Sequence, residues 1–133
     1  MRKVTLYIID DNVEVLNTLK LVFKQNKRYR VRAHTAVTDV WNDLDQNTPQ
    51  LIICDYLMPE CDGIKLLRDI KQLFPRVRSI LLTGEAFGPE IVKAIEEGVF
   101  SHYFSKPWDQ SKLEEIVSGL AREVAVEMGS RGA

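Results

Sequence analysis

Five short apolar runs, each followed by a stretch that can wind into a helix, constrain this chain more than any other feature. Val4 to Ile9 (VTLYII) and Leu51 to Cys54 (LIIC) are short, apolar and rich in β-branched residues, the pattern of buried strands. The first strand is placed at about 3–9 and leads to a helix at about 12–25, striped by Val13, Leu16, Leu19, Val22 and Phe23. A weaker strand at about 29–34 precedes a helix at about 37–46 that carries Val40, Trp41 and Leu44. The strand at about 50–54 leads to a helix at about 63–73 with Ile64, Leu66, Leu67 and Ile70, closed by Pro75. Ser79 to Leu82 is a fourth strand, and Pro89 opens a helix at about 89–97 that Gly98 ends. A fifth strand at about 100–104 precedes a last helix at about 110–128, with Asp109 as N-cap and Leu113, Ile116, Val117, Leu120 and Val124 on its apolar face.

Such an alternation implies an α/β fold: a five-stranded parallel sheet flanked on both faces by five helices joined through right-handed crossovers. With 133 residues the chain fits one domain, read as 1–128, and 129–133 read as a disordered tail. The first strand ends on Asp10-Asp11 and the third on Asp55. Sites in open parallel sheets form at the carboxyl ends of strands where the order reverses. Acids after the first and third strands therefore fit the doubly wound, flavodoxin-like order 2-1-3-4-5. Three carboxylates gathered there repel one another, at about 4 Å and an effective dielectric near 20 by on the order of 4 kcal/mol per pair. A hard cation relieves that cost, and Mg²⁺ favours one or two carboxylates, waters and a phosphate oxygen. Any one of these aspartates alone reads as a solvated turn residue. Thr83 directly after the fourth strand and Lys106 after the fifth add a hydroxyl and an ammonium at the same end. That set matches what a phosphoryl group requires: cations for its oxygens, a donor to hold one, and an in-line nucleophile.

Composition excludes other classes. Eighteen basic and nineteen acidic residues give a net charge of −1, which predicts no direct nucleic-acid binding and no attraction to an anionic membrane. The local basic cluster Lys24, Lys27, Arg28, Arg30 and Arg32 reads as a solvated helix end and edge strand. Cys54 and Cys61 have no metal spacing, and free thiols fit a reducing, cytoplasmic setting. The apolar run after Met1-Arg2-Lys3 is too short for a signal peptide or a membrane span. His34 and His102 read as structural.

The ordered set Asp10-Asp11, Asp55 through Met58-Pro59 to Asp62-Gly63, Thr83-Gly84, and Gly98 through Tyr103 to Lys106-Pro107 resembles the receiver domain of two-component response regulators. The resemblance covers about residues 3–128. It implies that Asp55 is the phospho-acceptor. Asp11, Asp55 and the backbone carbonyl of Leu57 are then direct Mg²⁺ ligands, and Asp10 acts mainly through water. Lys106 pairs with the acceptor and then with its phosphoryl group, and the Lys106–Pro107 bond is of a kind often cis. Thr83 and Tyr103 form the switch pair: Thr83 turns toward the phosphoryl group and Tyr103 rotates inward from solvent. The chain departs from the family in Val99, which replaces a usual Ala, while Trp108-Asp109 resembles receivers joined to output domains. Leu57 and Glu85 occupy positions that, by the resemblance, tune dephosphorylation in the family.

The resemblance further implies a sensor histidine kinase or phosphotransfer protein as donor. It also implies an output domain or downstream protein docking on residues 89–124, the fourth helix, fifth strand and fifth helix, where a homodimer is a further expectation. By the same resemblance the protein is expected to catalyse its own phosphorylation and dephosphorylation and not to be an enzyme with a separate substrate. A phosphatase with an aspartate nucleophile needs a second acid two residues on, where this chain has Leu57. The alternative is a phosphorylation-independent interaction module, which would need neither the acids nor Thr83 and Lys106.

Overall fold

In a computed structural model of the protein, which describes residues 3–84 and 88–132, the alternation resolves into seven strands and five helices. In chain order these are β1 (Val4–Ile9), α1 (Val13–Lys24), β2 (Tyr29–His34), α2 (Val37–Asp43), β3 (Leu51–Asp55), β4 (Leu57–Met58), β5 (Cys61–Asp62), α3 (Gly63–Leu73), β6 (Arg78–Thr83), α4 (Pro89–Glu96), β7 (His102–Ser105) and α5 (Gln110–Gly132). Five strands form one parallel sheet in the order β2-β1-β3-β6-β7, the predicted 2-1-3-4-5 among the long strands. β4 and β5 form a separate two-stranded antiparallel hairpin that the sequence did not announce.

The sheet is central because its strands are apolar on both sides. All six residues of β1 and all five of β3 are buried. Successive side chains of a strand point to opposite faces, so one run feeds two cores. Tyr7, Ile9, Ile52, Cys54 and Leu81 pack with Val40 and Leu44, with Ile64, Leu67 and Ile70, and with Ile91 and Ala94. Their neighbours Leu6, Ile8, Ile53, Ile80 and Leu82 pack with Leu16, Leu19 and Phe23 of α1 and Leu113, Val117 and Leu120 of α5.

Several sequence expectations shift. Val13 is 56% exposed, because it opens α1 at the rim of the sheet and the buried stripe starts only at Leu16. Trp41 is also exposed, while its neighbour Val40 is fully buried. α2 stops at Asp43 rather than 46, and β7 starts at His102 rather than 100, leaving Val99 and Phe100 buried in the core ahead of the strand. α5 runs on to Gly132, through most of the stretch read as a disordered tail. Gly98 has φ +74°, the left-handed conformation that ends α4 and that a side chain resists.

The charged edge is better organised than the sequence suggested. Asp43, buried on α2, accepts hydrogen bonds from Arg32 and from Asn47 Nδ2 and lies 3.0 Å from His34 Nε2. Tyr7 meets the His34 ring edge-on at 5.0 Å and donates its hydroxyl to the Asn47 carbonyl. The hydrogen bonds from Arg32 and Asn47 outweigh the burial of the Asp43 carboxyl and hold it below the ordinary carboxylate range. His34 is thus structural, as expected, and Arg32 is partly recruited inward from the basic cluster.

Candidate functional site

The site is built where β1, β3, β6 and β7 end. Asp10 follows β1 and Asp55 closes β3, and both are buried, at 1% and 6% exposure, while Asp11 is exposed. One carboxylate oxygen from each of the three lies within 4.8 Å of the others, a group that could hold a metal ion. The predicted acidic cluster is therefore assembled. Asp10 is fixed from two sides: Oδ1 accepts the Asn12 N–H at 2.9 Å and Oδ2 accepts from Lys106 Nζ at 3.3 Å. Asn12 in turn caps α1, accepting from Glu14 and Val15.

Lys106 reaches the site because its backbone N–H donates to the Thr83 carbonyl at 2.8 Å, which prolongs the β6–β7 pairing by one residue. Its ammonium lies 2.9 Å from Asp55 Oδ1, and its side chain is 27% exposed. The Lys106–Pro107 peptide bond is cis. Burial raises the Asp55 pKa above the ordinary value; the Lys106 hydrogen bond opposes this, and the charges on Asp10 and Asp11 add to it. For Lys106, burial alone would lower the pKa, but the pairing with Asp55 and Asp10 prevails and raises it. The ammonium is thus held charged among carboxylates.

Thr83, the last residue of β6, is 1% exposed beside this pair of strands. Tyr103 is half-buried and packs against the core cluster of α3 and α4, so it is already partly inside rather than in solvent. Leu57 lies in β4 with its side chain exposed. Glu85, named for its place after Thr83-Gly84, lies outside the described residues.

The loop after Asp55 is held by close packing. Asp62 caps α3 by accepting from Ile64 and Lys65, and Gly63 donates its N–H to the Tyr56 carbonyl. A Cβ on Gly63 would stand 2.1 Å from the Asp55 carbonyl oxygen, so only glycine permits this approach. Two contributors were missed in the sequence. Tyr56 is buried and donates its hydroxyl to Glu90 Oε2 at 2.9 Å, joining the residue after Asp55 to the first turn of α4. Beside the acids runs a small cleft lined by Asp11, Thr35, Val37, Met58, Pro59 and Glu60. A larger cavity of about 340 Å³ opens at the opposite, amino end of β3 and β6, between Gln50, Phe74, Val77 and Met128, remote from this chemistry. Among the described residues no helix is long and apolar enough to cross a membrane.

Comparison with known proteins agrees with this geometry. The sequence profile of the response regulator receiver domain matches residues 6–118. The response regulator Rre1 of Synechocystis is 25% identical over 98% of this chain, which spans 58% of that protein. The response regulator protein TmoT of Ectopseudomonas mendocina is 31% identical over 81% of this chain, which spans 48% of it. The chain thus covers about half the length of these curated relatives. Among solved structures, the signal receiver domain of an HD domain-containing protein from Pseudomonas fluorescens superposes with a TM-score of 0.80 at 31% identity, covering 95% of this chain and 96% of that one. A CheY-like receiver domain from Methanospirillum hungatei gives a TM-score of 0.84 at 22% identity, covering 94% and 98%, a likeness of fold. With the profile spanning most of the sequence, this chain belongs to the response regulator receiver domain family.

Proposed function

We propose that the protein is a phosphorylation-dependent switch that accepts a phosphoryl group on Asp55 from a phosphohistidine of a sensor kinase or phosphotransfer protein. The observation that carries this reading is the Lys106 ammonium held between two buried carboxylates, Asp55 and Asp10, with Asp11 beside them. Such a site has positive charge already in place for the oxygens of a phosphoryl group and a carboxylate ready to attack it. An Asp55 oxygen forms a bond to phosphorus in line with the breaking P–N bond, and the donor imidazole leaves with the electron pair. Lys106, which loses part of its partner's charge as the acyl phosphate forms, follows that charge onto the phosphoryl oxygens. Asp10, Asp11, Asp55 and the Leu57 carbonyl are the groups that would hold Mg²⁺, which when bound neutralises charge on the transferring oxygens. Water later attacks phosphorus and regenerates Asp55. The chain is in this reading the catalyst of its own modification and not an enzyme for a separate substrate.

The added group brings roughly 1.5–2 negative charges and strong acceptor oxygens. Thr83, one strand from Asp55, donates its hydroxyl to one of them, and Tyr103 moves deeper into the space this vacates. The surface formed by α4, β7 and α5, residues 89–124, changes and docks an output domain, a downstream protein or a second copy of the chain in the cytoplasm. The test is an amide chemical-shift map with and without beryllofluoride and Mg²⁺, where beryllofluoride stands in for the phosphoryl group. Shifts at Thr83, Tyr103 and the α4–β7–α5 face are expected. A site that leaves this face unmoved would favour the interaction module that needs no phosphorylation.

A further inference from the structure

Tyr56 sits between Asp55 and Leu57, at the centre of the acceptor loop, and is held from three directions. Its N–H donates to the Leu82 carbonyl at 2.8 Å, and its own carbonyl accepts the Gly63 N–H at 2.5 Å. These two bonds fix its backbone to β6 and to the start of α3. The third contact is made by the hydroxyl, which reaches 34 residues along the chain to Glu90 Oε2 at 2.9 Å. The ring is 7% exposed and belongs to the same core cluster as Ile91 and Ala94 of α4. The acceptor loop therefore has a rigid aromatic side chain packed in the core beside α4, with its tip bonded to that helix.

The first turn of α4 gains from this tie. Gly88, at its N-cap, offers no side-chain cap hydrogen bond. Glu90 lies in the first turn, where a negative charge is favoured by the helix dipole. The Tyr56 hydroxyl bonds that carboxylate in a charge-assisted contact, stronger than a neutral one. A contact made in only one of two states biases the equilibrium toward that state by its own free energy.

Resting on the receiver reading, we propose that Tyr56 is a positioning residue that ties α4 to the acceptor loop through Glu90 and holds the helix in its unphosphorylated placement. It would act beside the Thr83 and Tyr103 pair, from the residue directly after Asp55, and would set how readily the α4 surface responds. Removing the tie makes the responsive state less rare, and the apparent affinity for a ligand of that state rises in proportion to its population. A hydrogen bond to a charged but partly exposed group supports an effect of about tenfold.

The experiment titrates beryllofluoride at fixed Mg²⁺ and follows amide shifts of α4 in the wild type, Tyr56→Phe, Glu90→Ala and Glu90→Gln. Phe keeps the buried ring, and position 90 is exposed, so at least the latter variants should fold. Half-maximal response is expected at about tenfold lower beryllofluoride in Tyr56→Phe and Glu90→Ala. Glu90→Gln retains an acceptor without the charge and should give a midpoint between those of Glu90→Ala and the wild type, a graded order that a merely structural effect would not give. Combining Tyr56→Phe with Glu90→Ala should add little to either alone. A wild-type midpoint in both single variants, or a weaker response than wild type, overturns the proposal. A wild type that shows no response to beryllofluoride overturns the receiver reading itself, and the tie with it.

Discussion

Replacing Gly63 by Ala should damage stability and site together, with a size that follows from one close approach. The new Cβ would stand 2.1 Å from the Asp55 carbonyl oxygen and 3.0 Å from both Asp55 C and Tyr56 Cα. All three are backbone atoms, so no side-chain rotation relieves the clash. The start of α3 or the acceptor loop must retreat by on the order of 1 Å, since carbon atoms in contact settle near 3.5–4.0 Å and an oxygen somewhat closer. Overpacking of this kind costs roughly 1–3 kcal/mol. Helix propensity pulls the other way, since Ala is favoured over Gly by up to about 1 kcal/mol in a helix interior. The clash should win because Gly63 is at the helix start, where propensity counts least, and a net loss of about 1–2 kcal/mol is expected. The same movement displaces Asp55 relative to Lys106, now 2.9 Å apart, and a 1 Å misplacement can cost on the order of 100-fold in rate. Urea unfolding and acetyl phosphate labelling of the variant measure the two effects. A variant at least as stable as the wild type and labelled at the same rate would refute the claim that this approach positions the acceptor.

Other outcomes follow from the charges. With metal removed by a chelator, Asp55→Asn should be more stable than the wild type at neutral pH in denaturant melts, because burial and the charges on Asp10 and Asp11 raise the folded-state pKa of Asp55 despite Lys106. The sign fixes the pH dependence: ionised Asp55 costs stability that sets in as pH rises above the unfolded value of 3.8, so the two proteins should converge below it. Asp43 has the opposite sign, its folded pKa lying below 3.8, so it contributes stability above that value and loses it as pH falls through the folded pKa. Asp43→Asn should cost about 1–3 kcal/mol at pH 7 in urea unfolding, and less in acid. In Mg²⁺ titrations followed by chemical shift, Asp11→Ala should weaken binding more than Asp10→Ala, since both Asp10 oxygens already hold hydrogen-bond donors.

The sheet was legible because buried parallel strands are continuous apolar runs: VTLYII and LIIC need no partner information to be recognised. The site was legible because each of its groups closes a strand or stands within two residues of a strand's end, so that the topology alone gathers Asp10, Asp11, Asp55, Thr83 and Lys106. What stayed hidden depends on packing across the chain. The two-residue strands of the β4–β5 hairpin are too short to show any periodicity. Residues 129–133 read as a disordered tail, yet α5 continues to Gly132. Asp43 carried no signal in the sequence, because only the docking of α2 on β2 buries it against Arg32 and His34. The Tyr56–Glu90 bond spans 34 residues and exists only once α4 is seated. Gly63 stood in the sequence beside Asp62, but nothing there gave its distance to Asp55.

The central claim is that Asp55 receives the phosphoryl group with Mg²⁺ and Lys106 around it. Its most direct test is the intact mass of wild type and Asp55→Asn after incubation with acetyl phosphate and Mg²⁺, with chelator controls. The wild type should gain one phosphoryl group that is lost in chelator-containing reactions, and Asp55→Asn should gain none. Labelling of Asp55→Asn at the wild-type rate and stoichiometry would contradict the account.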